Sequence, residues 1–167
     1  MIKINGENFY RKKDILNQDE VKAILEDVSY ELENNLCTKV PPYQTYADLF
    51  PKYSHQPHWQ KLFKEVSSVI EETGIKNLAL HKSWANLSKE DNRFVFHTHN
   101  VDLTCIYYLK NKYSEYGTKL ENNIIVEAIQ NSIVAFRGGI LHSVANMPPE
   151  IAKNNQRYSV VFNFRKL

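Results

Sequence analysis

His97-Thr98-His99 closes an apolar stretch containing Phe94, Val95 and Phe96. Residues i and i+2 of an extended strand project to the same side. The two imidazoles would therefore point together, able to chelate one divalent ion at about 2.0–2.2 Å. His142 ends a second strand-like run, after Phe136-Arg137-Gly138-Gly139-Ile140-Leu141, whose glycines permit a close approach to a sheet. Imidazole suits iron, zinc, copper or nickel better than magnesium or calcium. A single strand histidine is more often a hydrogen-bonded or surface group. Here three of six histidines fall in this pattern, which points to a mononuclear metal site at His97, His99 and His142. His55 and His58 flank a helix start and read as surface or capping groups. His81, beside Lys82-Ser83-Trp84, is undecided.

Arg157 opens the last apolar run, Arg157-Tyr158-Ser159-Val160-Val161-Phe162-Asn163-Phe164, and shares a strand face with Ser159. Burying an arginine is costly unless it meets an anion. Its planar fork matches a carboxylate, and a neighbouring hydroxyl adds a further hydrogen bond. The anion is either a protein carboxylate or a ligand, and the histidines favour the ligand. Thr104-Cys105-Ile106-Tyr107-Tyr108-Leu109 follows the histidine pair directly. Tyr107 and Tyr108 point to opposite faces, so one of them can reach the same carboxylate.

Those residues need strands to hold them. From Lys76 onward the pattern has period two and is rich in β-formers, with candidate strands at 77–87, 93–99, 103–110, 124–129, 132–137, 141–145 and 157–165. Turn-like separators stand at 89–92, 121–123, 130–131, 138–139 and 147–155. No helical pattern intervenes, so the expectation is antiparallel sheets in a jelly roll or barrel and not a βαβ sheet. The first half reads as helices and loops. Asn17 with Glu20 makes a capping-box start, followed by Val21, Ile24, Leu25, Val28 and Leu32 at helical spacing to about residues 34–35. A second helix starts near Pro57, buries Trp59, Leu62, Phe63, Val66, Val69 and Ile70, and ends at Gly74. Between them, residues 36–56 read as an irregular, ordered loop. Its aromatics Tyr43, Tyr46, Phe50 and Tyr53 either wall a pocket or staple the loop to the core. The expected organisation is one domain over 1–167: a helical N-terminal support region over 1–75 and a β core over 76–167.

Bulk properties narrow the function. A chain of 167 residues, 43% hydrophobic and 24% charged, is ordinary for a globular domain with a sizeable core. A net charge of +2 without a dense basic run gives no argument for nucleic acid. No apolar run approaches the roughly 20 residues of a membrane helix. No signal-peptide h-region opens the sequence, and two cysteines, Cys37 and Cys105, make no disulfide framework. These features lead to the expectation of a cytoplasmic protein that binds neither membrane nor nucleic acid.

Taken together, His97-x-His99, the Thr104–Leu109 strand, His142-Ser143-Val144 and Arg157-x-Ser159 with Phe162-Asn163-Phe164 resemble the 2-oxoglutarate/Fe(II)-dependent oxygenases. The likeness is nearest to phage and bacterial members with an H-x-H metal motif. Residues 76–167 carry it, and Pro41-Pro42-Tyr43-Gln44-Thr45 and Trp84-Ala85-Asn86 extend it. The resemblance implies a double-stranded β-helix (jelly roll, cupin-like barrel) with two helices packed on one sheet. It implies His97 and His142 as iron ligands and Arg157, aided by Ser159 and Tyr108, on the distal carboxylate of 2-oxoglutarate. Asn86 is implied as a further contact of the co-substrate. The implied reaction consumes O2, hydroxylates a C–H bond of a small-molecule or peptide substrate, and releases succinate and CO2. The family's usual third ligand is a carboxylate two residues after the first histidine. Here that position is His99, so the third ligand is either His99 or Asp102 from the following turn. The substrate mouth is expected at the 43–53 loop, Trp84, Asn86 and the 111–119 loop.

Two other readings compete. A cupin-type three-histidine metalloprotein, a dioxygenase or isomerase without 2-oxoglutarate, accommodates the histidines but has no use for Arg157-x-Ser159. A non-catalytic jelly-roll binding protein would show no metal uptake.

Overall fold

The computed structural model describes residues 1–4, 6–34, 37–39, 43–89 and 95–167. In chain order its strands and helices are β1 (Ile2–Ile4), β2 (Glu7–Lys13), α1 (Gln18–Glu33), β3 (Tyr43–Gln44), α2 (Leu49–Tyr53), α3 (Pro57–Thr73), β4 (Leu78–Ser88), β5 (Leu103–Lys110), β6 (Thr118–Leu120), β7 (Ile125–Val126), β8 (Ser132–Arg137), β9 (His142–Val144), α4 (Pro149–Ala152) and β10 (Arg157–Lys166).

The strands form a seven-stranded sheet ordered β1-β2-β8-β5-β10-β4-β3 and a three-stranded sheet ordered β7-β6-β9. Every pairing is antiparallel. His97 bridges to His142, which adds the histidine segment to the edge of the small sheet. From β4 onward the chain crosses between layers: β4 large, His97 small, β5 large, β6 and β7 small, β8 large, β9 small, β10 large. That alternation is the winding of a double-stranded β-helix. The two sheets face each other without closing into a barrel among the described residues.

Strand alternation gives the large sheet two buried faces. Cys105, Tyr107, Val160 and Phe162 point outward and pack with Ile24 and Val28 of α1 and Trp59, Leu62 and Val66 of α3. Trp84, Ile106, Tyr108, Val134 and Val161 point inward and meet Leu120 and Val126 of the small sheet. The helices thus cover one face, and the inner face is left for the site. Both helices start and stop as the sequence indicates. Asn17 Oδ1 accepts from Glu20 N at 2.9 Å, Glu20 Oε2 accepts from Asn17 N at 2.9 Å, and Gly74 closes α3 with φ +70°.

Several local expectations are corrected. The first half is not only helices and loops, because β1 and β2 extend the large sheet. The 36–56 loop contains β3 and α2. Tyr43, Phe50 and Tyr53 pack on the outer core and Tyr46 is exposed, so the aromatics staple the segment rather than wall the site. Of the expected strand at 93–99, the described residues 95–99 pair only through the His97 bridge, with Val95 and Phe96 exposed. The run at 124–129 pairs only through Ile125–Val126, and 147–155 holds the short helix α4. β6 was expected to lie partly in a loop. His58 is no free surface group: its Nε2 lies 2.8 Å from Asp27 Oδ2, tying α3 to α1. Residues 90–94, with most of the 89–92 turn and the start of the 93–99 strand, lie outside the described residues, as do Asn35, Leu36, Pro41 and Pro42.

The end of β8 is where the histidine segment presses closest. A Cβ on Gly138 would lie 2.4 Å from the Val101 carbonyl oxygen, whereas one on Gly139 would meet nothing within 4 Å. Gly138→Ala is expected to destabilise the protein by about 1–3 kcal/mol, the usual cost of forced overpacking, and to weaken divalent-ion binding. Gly139→Ala should leave both unchanged. Chemical denaturation and calorimetric titration with Zn(II) check the pair.

Candidate metal centre

Backbone hydrogen bonds set the histidines. His97 N donates to His142 O at 2.9 Å, His142 N donates to His97 O at 3.0 Å, and His99 N donates to Gly138 O at 2.8 Å. A continuous strand is therefore unnecessary, since the two residues that matter are each anchored. One potential ligand atom from each of His97, His99 and His142 lies within 4.8 Å of the others. That is close to the roughly 3–4 Å separations which a shared ion with ~2.1 Å bonds imposes. Ring centroids stand 5.0 Å apart for His97–His99, 4.6 Å for His97–His142 and 5.0 Å for His99–His142.

Two of the rings have their tautomer fixed. His97 Nδ1 is 3.0 Å from the Val95 carbonyl oxygen and His142 Nδ1 is 2.8 Å from the Ile140 carbonyl oxygen. A carbonyl only accepts, so Nδ1 carries the proton and Nε2 presents its lone pair, as in many protein metal sites. Burial, reinforced by the neighbouring imidazoles His142 and His97, pushes His99 from about 6.5 down to about 4. Burial pushes His142 down to about 4 as well, with the Ile140 carbonyl opposing and His97 adding. Both rings are neutral at pH 7, the state a metal requires.

Asp102 is turned elsewhere. Its Oδ2 accepts from Lys166 N at 2.9 Å, and it lines a separate cavity of about 690 Å³ with Glu7, Phe9 and Arg137. That cavity is larger than the one at the histidines but contains none of them.

The histidines open into a cavity of about 410 Å³ that also exposes Gln44, Trp84, Asn86, Thr118, Arg157, Ser159 and Val161, and among the described residues its lining has no carboxylate. The pairing of β10 with its neighbours explains this set. Ser159 stands opposite Asn86 and Tyr108, and Val161 opposite Trp84 and Ile106, so one face collects them. Arg157 is 3% exposed. Its Nη1 donates to the carbonyl oxygens of Tyr116 at 2.7 Å and Gly117 at 2.9 Å, and its Nε has no partner. No carboxylate pairs with it among the described residues. Burial lowers the guanidinium's pKa from its ordinary value, and the adjacent Tyr108 opposes this. Tyr108 is wholly buried behind the cavity, its ring 6.0 Å from the Arg157 guanidinium carbon and its hydroxyl 2.7 Å from Thr118 Oγ1. The hydroxyl that reaches the cavity here is therefore Thr118. Sequence reasoning placed the 43–53 and 111–119 segments at the site mouth without singling out Gln44 or Thr118. Thr118 sits at the start of a three-residue strand too short to show a period, and Gln44 pairs with Asn86 from a two-residue strand in a Pro-rich segment. The other expected site residues, Asn86, Arg157 and Ser159, share the cavity with all three histidines.

With the fold and this geometry in view, the chain can be set beside solved structures. It resembles the 2OG complex of the viral collagen prolyl hydroxylase vCPH from Paramecium Bursaria Chlorella virus-1, with TM-score 0.72 and 12% identity over 98% of each chain. HygX from Streptomyces hygroscopicus, with nickel and 2-oxoglutarate bound, superposes with TM-score 0.70 and 10% identity over 96% of this chain and 83% of that one. A Pseudomonas putida prolyl-4-hydroxylase gives TM-score 0.62 and 13% identity over 96% and 89%. No protein-family model and no curated protein sequence matches the chain. The fold is thus the double-stranded β-helix of 2-oxoglutarate-dependent oxygenases. No helix among the described residues is long and apolar enough to cross a membrane.

The depressed histidines give a pH signature with a defined sign. An unfolded imidazole titrates near 6.5. Below that value the unfolded chain takes up protons that the folded protein refuses until about pH 4. Stability of the ion-free protein should fall as pH drops from about 6.5 to about 4, in line with proton linkage. Urea titrations across that range check it, and His142→Asn should flatten the slope.

Proposed function

We propose that the protein is a 2-oxoglutarate- and Fe(II)-dependent oxygenase that hydroxylates its substrate and forms succinate and CO2 from the co-substrate. One observation carries the reading: three imidazoles share a cavity with a buried arginine, and among the described residues neither the cavity lining nor the arginine has a carboxylate. A three-histidine cupin would have no use for that arginine. The structural neighbours whose names give 2-oxoglutarate, nickel and prolyl hydroxylation support the assignment.

In this reading His97, His99 and His142 hold the iron through ring nitrogens, Nε2 in His97 and His142. Arg157 binds the distal carboxylate of 2-oxoglutarate through its unpartnered Nε side, with Ser159 and Thr118 supplying hydroxyls. Tyr108 braces Arg157 and Thr118 from behind, and Asn86 and Gln44 flank the bound co-substrate. Iron bound here supplies the activation of O2 that drives decarboxylation and hydroxylation. The chain's own contribution is to keep His99 and His142 unprotonated, fix the direction of the keto acid and exclude water with Trp84, Ile106 and Val161. Three neutral ligands leave the ion its full double charge, one unit more than a site with one carboxylate, and the dianionic co-substrate offsets it. The oxygenated substrate is a small molecule or peptide.

Anaerobic addition of Fe(II) and then 2-oxoglutarate should develop a metal-to-ligand charge-transfer band in the visible. Arg157→Met is expected to raise the 2-oxoglutarate Kd at least about 30-fold, the loss typical of truncating one partner of a buried charge pair. His99→Ala should abolish the band and Asp102→Ala should keep it. A band lost with Asp102→Ala and kept with His99→Ala would move the third ligand to Asp102.

A further inference from the structure

A second hollow, of about 270 Å³, adjoins the histidine cluster on the side away from Arg157. It shares Gln44, Trp84 and His99 with the metal cavity. Beyond them its wall includes His81, Lys82, Asn163 and Arg165 and the 98–101 segment. Lys82, Asn163 and Arg165 continue the inner-face row of the large sheet. Arg157 and Ser159 stand at one end, Trp84 and Val161 in the middle beside the histidines, and Lys82 opposite Asn163 at the other end. The row is partly fixed. Thr104 Oγ1 donates to Asn163 Oδ1 at 2.9 Å, and Arg165 Nε and Nη2 donate to the Asn100 carbonyl oxygen at 3.1 and 2.9 Å. Among the described residues neither Lys82 nor Arg165 pairs with a carboxylate, and the lining of neither hollow contains an acid.

We infer that this hollow is the substrate site and that its substrate is a small anion, bearing a carboxylate or phosphate that Lys82 and Arg165 recognise. The inference rests on the oxygenase reading for its chemistry. A guanidinium held by a carbonyl is a pre-placed fork, and a flexible ammonium across the sheet closes on the same anion. A carboxylate or phosphate can accept hydrogen bonds from both cations at once, and their summed field draws an anion in. The hollow's size suits a molecule of roughly amino-acid dimensions, since ligand cavities of about 300 Å³ are at the small end of the usual range. Lys82 and Arg165 are exposed, so the attraction is screened by salt.

The test loads the protein with Mn(II) in excess 2-oxoglutarate. It follows paramagnetic broadening of the proton signals of three probes: N-acetyl-L-aspartate, N-acetyl-O-phosphoserine amide and the uncharged N-acetyl-L-asparagine amide. One or both dianions should broaden saturably, at least about tenfold tighter than the amide, as expected for a charge-assisted pair. Binding should weaken with added NaCl, and Lys82→Glu/Arg165→Glu should erase the preference. Which dianion binds tighter separates carboxylate from phosphate recognition. Equal binding of the amide, no saturable binding of either dianion, or an unchanged preference in the double variant would overturn the inference. Failure of the oxygenase reading shows separately, as the absence of the Fe(II)–2-oxoglutarate band.

Discussion

The guanidinium of Arg157 is enclosed between two sheets, held by the carbonyl oxygens of Tyr116 and Gly117, with Nε unsatisfied. A buried charge of this kind costs several kcal/mol unless something compensates it. Carbonyl dipoles offset part of the cost, and the Tyr108 ring adds to that. The remainder is what the proposed 2-oxoglutarate carboxylate would offset by completing the fork. The histidines, the inner face of the large sheet and the small sheet that roofs it all lie around this demand.

Their arrangement follows from strand alternation applied twice. β10 is flanked by β4 and β5, so its odd-numbered residues, Arg157, Ser159, Val161 and Asn163, form a polar-to-apolar row facing inward. Its even-numbered residues, Tyr158, Val160, Phe162 and Phe164, join the core beneath α1 and α3. One strand thereby serves both packing and chemistry. The helices sit on the outer face, and stabilise the sheet without entering the site. Metal position and arginine are coupled through the crossing between layers: the small-sheet edge carries His97 and His142, and the large sheet carries Arg157.

The core of the site was legible in the sequence because its residues obey simple rules. His97 and His99 are two apart, His142 follows a Gly-Gly turn, and Arg157 begins a strand whose period is unmistakable. The bounds of β5 and β8 and the capping of α1 were legible for the same reason: long periodic runs and specific cap chemistry. What was not legible depends on contacts between segments that are either very short, like β1, β3 and β6, or, like β2, largely polar with one buried apolar residue. β2 joins the large sheet by pairing with β8 and β1 by pairing with β2, and β3 and β6 bring Gln44 and Thr118 to the cavity through two- and three-residue pairings. The strand expected at 93–99 failed over the described residues 95–99 for the opposite reason. Its β-rich composition is satisfied by two anchoring backbone contacts, and Val95 and Phe96 face solvent. The displacement of Asp102 onto the Lys166 amide likewise depends on the chain end returning beside the turn, which no local pattern encodes.

The central claim is that one ion on His97, His99 and His142 and one carboxylate on Arg157 belong to the same bound co-substrate. Anomalous diffraction from crystals grown anaerobically with Mn(II) and 2-oxoglutarate measures this directly. The account predicts a single manganese peak within bonding distance of all three imidazoles, chelated by the keto acid, with the far carboxylate on Arg157 and Asp102 still on Lys166. A manganese bound by Asp102 in place of His99, or 2-oxoglutarate bound away from Arg157, would contradict it.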